Sequence, residues 1–282
     1  MKGLGGRRAR RRATRQVTSG RERIHIAGSE SADESVVARS ERRRQRGGAR
    51  SRGKSFDEHV AQALEEKPLA QIIRNLELAF GEPQPRQWGD PLATLINVIL
   101  SQATSDTNSD RAFAALKRRF PRWEDLLSAR LSTIAAAIRI GGLAKQKAVV
   151  IRDLLRQLKE ERGSLDLSFL CALPTQEAAA YLAQFRGIGP KTIACTLLFA
   201  CGKEIFPIDT HIFRVLRRLG LLPERCSPAR AHAVMDRVVP SGKFYSFHIN
   251  LIRLGRTICR PRQPRCERCP IVEYCDYGQS RI

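Results

Sequence analysis

Two side chains and four thiols could do chemistry in this sequence. Lys191 follows Gly187, Gly189 and Pro190 in "RGIGPKTIA", at the mouth of an apolar stretch, "PKTIACTLLFACG" (190–202), that reads as a helix with Pro190 at its first position. A lysine there opposes the helix dipole, whose positive end disfavours a second positive charge. Asp209 lies eighteen positions further on, in "FPIDTHIFRVLRRLG" (206–220). Here Asp209 or Thr210 is the N-cap of a helix with apolar residues at Ile212, Val215, Leu216 and Leu219. The interval holds one helix, a turn at Gly202 and a return to the same mouth, which brings an amine beside a carboxylate. Each residue also has an ordinary reading, a solvated first-turn lysine and a simple cap. Glycines at 187 and 189 permit φ > 0 and a tight turn whose exposed amides can hold a phosphate oxygen. Such a grip positions a protein on a nucleic-acid backbone without reading its sequence. A plain αα-hairpin with a glycine turn would use the same residues.

The thiols are Cys259, Cys266, Cys269 and Cys275 in "CRPRQPRCERCPIVEYC", spaced C-x6-C-x2-C-x5-C. Four thiolates within one short loop can wrap a single metal centre. No secretory signal is visible, so disulfides are not expected. Zinc is the nearer rival, but zinc sites usually pair two short knuckles and only one tight pair is present here, so the spacing favours an iron–sulfur cluster. Cys171, Cys195, Cys201 and Cys226 sit in apolar or loop contexts and are expected to be packing residues.

The elements that position these groups are helical. From about Phe56 the chain reads as helices parted by short Gly/Pro turns: "AQIIRNLELAF", "PLATLINVILSQAT" behind the Asp90–Pro91 start, "SDRAFAALKRRF", "RLSTIAAAIRI", "KAVVIRDLLRQLKEERG" closing on Gly163, and "PTQEAAAYLAQF". No hairpin signal or strand alternation interrupts them, so the fold class is all-α. At 282 residues and 42% hydrophobic the chain can bury a core. Its net charge of +22 makes a polyanion, and nucleic acid first, the expected partner. Residues 1–55 hold 17 Lys or Arg against 5 acidic residues and almost no apolar periodicity. They are expected to form a disordered basic tail that adds salt-sensitive DNA affinity, or a solvated extension. The Arg- and Ser-rich start has some transit-peptide character, which Glu22, Glu30, Asp33 and Glu34 weaken. No apolar run of membrane-spanning length occurs, so no membrane partner is expected.

"FRGIGPKTIA", "PIDTHIFRV" and the C-x6-C-x2-C-x5-C loop, in this order, resemble the endonuclease III family of helix-hairpin-helix DNA glycosylases, over about Leu69 to Tyr277. The resemblance implies a two-lobed all-α enzyme. A six-helix barrel over 92–203 forms one lobe, and 56–91 with 204–282 forms the lobe carrying a [4Fe-4S] cluster on the four cysteines. It implies Lys191 as nucleophile and Asp209 as catalytic carboxylate of a bifunctional DNA glycosylase/AP lyase that excises damaged bases, oxidised pyrimidines by family habit. The Schiff base to an opened sugar then permits β-elimination. The helix dipole that disfavours a charged lysine favours the neutral amine this chemistry needs. Asp209 would accept a proton or stabilise oxocarbenium character. The resemblance also makes Gln102, in "LSQATSD", the residue filling the gap left by an extruded base, and Leu143, in "GGLAKQKA", the wedge, although Ala144 stands where the family commonly has an aromatic. His211 would line the pocket, or cap and pack. Double-stranded DNA with damaged bases or abasic sites would be the partner of a monomer. The expected location is the cytoplasm and nucleoid in a bacterium or archaeon, and the nucleus or mitochondrion in a eukaryote. Two alternatives stand beside this one: a mismatch glycosylase for thymine or uracil, whose members typically lack the lysine, and a non-catalytic DNA-binding protein on the same scaffold.

Overall fold

A computed structural model describes residues 55–85 and 89–282; the expected basic tail lies outside the described residues but for Ser55. Among the described residues all regular structure is helical. The helices are α1 (Phe56–Glu66), α2 (Leu69–Phe80), α3 (Pro91–Ser101), α4 (Asp106–Arg119), α5 (Asp125–Ser128), α6 (Leu131–Ala137), α7 (Ala144–Arg162), α8 (Thr175–Ala183), α9 (Pro190–Cys201), α10 (Thr210–Leu219), α11 (Pro228–Val238), α12 (Phe244–Thr257) and α13 (Asp276–Gln279). Short 3₁₀ turns at Arg139–Gly141, Ser168–Cys171, Cys266–Arg268 and Val272–Tyr274 connect some of them.

Local rules set most boundaries. α3 starts where the Asp90 carboxylate accepts the Leu92 N–H at 2.9 Å ahead of Pro91. α7 stops at Gly163 and α9 at Gly202, both in the left-handed conformation that glycine adopts without a steric penalty. Ser55 and Glu58 close a reciprocal capping box on α1.

Two apolar cores follow from the faces these helices bury. One gathers α3 to α9, with Leu95, Ile96, Ile99, Leu116, Ile151, Leu155 and Leu197 fully buried. The other gathers α1, α2 and α10 to α12 around Ile72, Leu76, Phe206, Leu216, Phe247 and Leu251. α9 serves both: Ile193 and Leu197 lie in the first core and Leu198 in the second. It packs chiefly on α3, while α10 and α2 pack on α12. Lys191 therefore stands on a helix shared by both cores and packed chiefly in the first, and Asp209 opens a helix rooted in the second.

One cysteine expectation is corrected. Cys171 and Cys201, read as packing residues, are joined in a disulfide with their Cα atoms 4.8 Å apart. Cys171 ends a 3₁₀ turn and Cys201 ends α9, an approach that no local pattern announces. Cys195 and Cys226 are free and buried.

Candidate active site and metal centre

The hairpin between α8 and α9 turns at Gly187, whose φ is +85°, and a Cβ there would meet Val150 Cγ2 at 2.9 Å. Conformation and space both demand glycine. Gly189 differs from the expectation: its φ is −94°, extended and ordinary, so no left-handed turn is made there. Nothing lies within 4 Å of the Cβ it lacks, and α9 carries no side-chain cap. The first-turn amides beside Lys191 are thus left without a side-chain acceptor, on a backbone that a ligand can approach closely.

Asp209, rather than Thr210, is the N-cap of α10, and its Oδ1 accepts the Ile212 N–H at 2.8 Å. The segment that delivers it is pinned at three points. The Phe206 N–H donates to Asp236 Oδ1 at 2.6 Å, the His232 ring donates from Nδ1 to the Phe206 carbonyl at 2.9 Å, and the His248 ring donates from Nδ1 to the Pro207 carbonyl at 2.9 Å. A carbonyl only accepts, so each Nδ1 carries its hydrogen. His248 is stacked edge-on against Phe199 and Phe206. Burial pushes its pKa down to about 4, against the pull of the Pro207 hydrogen bond and of Asp209, with Lys191 and Arg256 adding to the depression. Burial likewise raises the Cys195 thiol, one turn along α9 from Lys191, where the charges of Lys191 and Asp209 act in opposite directions. The charges of Lys191 and Asp209 thus both reach His248 and Cys195.

Other predicted residues fall around this point. Gln102 ends α3 as its C-cap and donates from Nε2 to Thr192 Oγ1, next to Lys191, at 3.2 Å. Leu143 is the N-cap of α7, in the left-handed conformation (φ 48°) and 53% exposed. His211 Nδ1 accepts from Arg214 Nη2 at 3.2 Å, and that guanidinium also donates to the carbonyls of Gly255 and Cys259. Gly255 is what lets this turn approach α12, since a Cβ there would meet His211 Cβ at 2.9 Å.

Four further residues carried no motif. Asp106 and Arg256 pair across the two cores. His248 and Lys147 each occupy a buried stripe, His248 beside Phe247 and Leu251, Lys147 one turn before Ile151. The available signal was a polar residue interrupting an apolar periodicity.

Cys259, Cys266, Cys269 and Cys275 line one recess with Ile258, Pro264, Val272 and Gly278. Among the described residues no three His, Cys, Asp or Glu side chains come together as the shell of a single ion. Donors already face the sulfurs: Arg218 Nη1 reaches Cys259 Sγ at 3.3 Å and the Gly278 N–H reaches Cys275 Sγ at 3.3 Å. Burial first, and then the neighbouring thiols against a backbone hydrogen bond from Ile271, push Cys269 up to about 11. Ionising a thiol in such a setting calls for a compensating cation.

A glycine-turned pair of helices with uncapped first-turn amides, the second helix shared by two helical cores, defines a helix-hairpin-helix protein. The family described as HhH-GPD superfamily base excision DNA repair protein matches residues 96–241. Endonuclease III of Sulfolobus acidocaldarius is 33% identical over 192 residues, covering 67% of this chain and 83% of that one. A protein of Arabidopsis thaliana, provisionally named a DNA glycosylase, is 36% identical over 191 residues, 64% of this chain and 65% of its own length. Among solved structures, endonuclease III trapped on DNA as a covalent intermediate shares the fold with a TM-score of 0.66, at 22% identity, covering 77% of this chain and 98% of that one. The chain belongs to the HhH-GPD superfamily and, within it, to the endonuclease III family of DNA glycosylases.

Proposed function

We propose that this chain is a bifunctional DNA glycosylase/AP lyase acting on damaged bases, oxidised pyrimidines first, and on abasic sites in double-stranded DNA. The observation that supports the reading is that Lys191, in the first turn behind the Gly187 hairpin, and Asp209, the N-cap of α10, both act electrostatically on buried His248 and Cys195. The Lys191 lone pair forms the bond to sugar C1′ as the base leaves with the glycosidic electron pair. The amine proton passes to the free oxygen of Asp209, whose other oxygen is occupied by the Ile212 N–H. The nitrogen lone pair then breaks the C1′–O4′ bond as O4′ takes the proton from Asp209, leaving a protonated imine. This acidifies the C2′ hydrogen, which passes to water as the C3′–O bond breaks and the 3′ phosphate leaves with that electron pair. The open amides at Gly187 and Gly189 grip a backbone phosphate, while Gln102 and Leu143 take the place of the extruded nucleotide.

The four-cysteine recess is proposed to hold a [4Fe-4S] cluster. The spacing C-x6-C-x2-C-x5-C has only one short pair of the kind zinc knuckles use, and all four thiols line the same recess, which supports a polynuclear guest over zinc. When bound, the cluster supplies four metal–sulfur cross-links. Arg260, Arg262, Arg265 and Arg268 on the same loop then face phosphate from a fixed frame.

Borohydride reduction on abasic-site DNA tests the reading. The wild-type chain is expected to be trapped covalently and Lys191→Ala to be free; trapping that survives the substitution removes Lys191 from the mechanism. Asp209→Asn is the companion, because asparagine caps a helix as well as aspartate does. It is expected to bind DNA normally and to lose about 10²-fold or more in turnover.

A further inference from the structure

We infer that Lys147 is a positioning residue that locks the Gln102 loop and the Leu143 loop into one unit, so that both enter a duplex together. This rests on the DNA-facing roles proposed above for those two residues. Lys147 lies in the first turn of α7, 3% exposed, on the stripe that continues through Ile151, Leu154 and Leu158. Its Nζ donates to the Leu100 carbonyl at 2.7 Å and to the Gly141 carbonyl at 2.8 Å. Leu100 stands two residues before Gln102, and Gly141 two residues before Leu143. One ammonium therefore fixes the same point in both loops.

The position is costly for a lysine. Burial lowers its pKa, and among the described residues it makes no ion pair, whereas buried Lys67 is paired with Asp276 at 3.1 Å. A methionine of similar length would fill the stripe without desolvating a charge. What the ammonium adds is a bond to the C-terminal end of α3, whose last carbonyls lack helical partners and attract positive charge.

The loops it holds need holding. Ala103, after Gln102, and Leu143 both adopt left-handed backbone, at φ 51° and 48°, and neither is glycine. Such conformations persist only where their surroundings over-determine them. The loops also touch: a Cβ on Gly142 would lie 4.0 Å from the Ala103 carbonyl, and one on Gly141 would lie 3.7 Å from the Leu100 carbonyl. Gln102 is tied in turn to Thr192, beside Lys191. A displacement at Lys147 would thus reach the proposed wedge, the gap-filling residue and the edge of the amine site.

Full-length Lys147→Met is compared with wild type by three measurements. Amide hydrogen exchange is followed over residues 99–105 and 139–145, nicking on duplex DNA with one abasic site, and borohydride trapping on a single-stranded abasic oligonucleotide, which requires no wedge. Exchange is expected to rise in both segments together and duplex nicking to fall about tenfold, with single-strand trapping within about twofold of wild type. Unchanged exchange, a rise in one segment alone, or trapping that falls as far as nicking would overturn the inference; the last marks a general structural role. If exchange responds as expected but wild type neither traps nor nicks, the catalytic reading fails and the clamp stands.

Discussion

Asp106 and Arg256 form a two-pronged ion pair, Oδ2 to Nη1 at 2.5 Å and Oδ1 to Nη2 at 3.0 Å, that ties the first turn of α4 to the last turn of α12. Those helices belong to different cores, and the pair sits where the charges of Lys191 and His211 reach Asp106 and that of Asp209 reaches Arg256. It spans the boundary that the amine and the carboxylate must also span.

Both partners are substantially exposed, so the pair is worth little as stability. A double-mutant cycle with Asp106→Ala and Arg256→Ala should give a coupling of about 0.5–1 kcal/mol in chemical denaturation, shrinking at 1 M NaCl, where the screening length falls to about 3 Å. The Arg256 hydrogen bonds hold the Asp106 carboxyl below its usual range. Its stabilisation is therefore fully present above the unfolded value and lost as pH falls through the lower folded one. A coupling that grows with salt would contradict this account.

Gly187 and Gly189 should separate on substitution. Gly187→Ala forces a side chain into a left-handed φ and against Val150, and should cost about 1–3 kcal/mol, read as a lower melting temperature. Gly189→Ala meets nothing and keeps an ordinary φ, so its stability should stay within about 0.5 kcal/mol of wild type. Its DNA affinity should fall, because the added methyl stands where a phosphate approaches. Equal melting temperatures for the two variants would show that the hairpin relaxes.

His248 makes the fold acid-sensitive. Burial holds it neutral down to about 4, while the unfolded side chain takes up a proton near 6.5. Between those values the unfolded state binds more protons, so stability falls as the solution is acidified from about 6.5 to 4 and is unaffected by this group above that window. His232, also lowered by burial, adds in the same direction. His248→Gln should flatten the loss of melting temperature over that window; an equally steep profile would assign the sensitivity elsewhere.

The cysteine recess makes a compositional prediction. Protein purified without oxygen should carry about four irons and matching sulfide per chain, with broad visible absorption, and Cys269→Ser should lose both. One zinc per chain with no colour would exclude the polynuclear reading.

Much of this molecule is legible along the chain. Helix starts at Asp90–Pro91 and Asp209, and stops at Gly163, Gly202 and Gly220, are written in local capping chemistry. Lys191, Asp209 and the four cysteines stand out because their motifs are short and ordered. The partners that hold them do not: Asp106 and Arg256 lie 150 positions apart, and His248 meets Pro207 across 41. Cys171 finds Cys201 only when α9 folds back past a 3₁₀ turn.

The sequence alone determined the all-α class, the helices from 70 to 220, several of their ends and which side chains could react, because capping and periodicity act over a few residues; the helices at Pro228–Val238 and Phe244–Thr257 carry no such clear signal. Tertiary structure alone decided that Lys191 and Asp209 both act on His248 and Cys195, that Gly189 needs no left-handed backbone, and that a lysine on an apolar stripe bonds the carbonyls of Leu100 and Gly141. Those outcomes depend on which helix faces pack together, and the partners a buried charge finds there are set by distances in space that spacing along the chain does not encode.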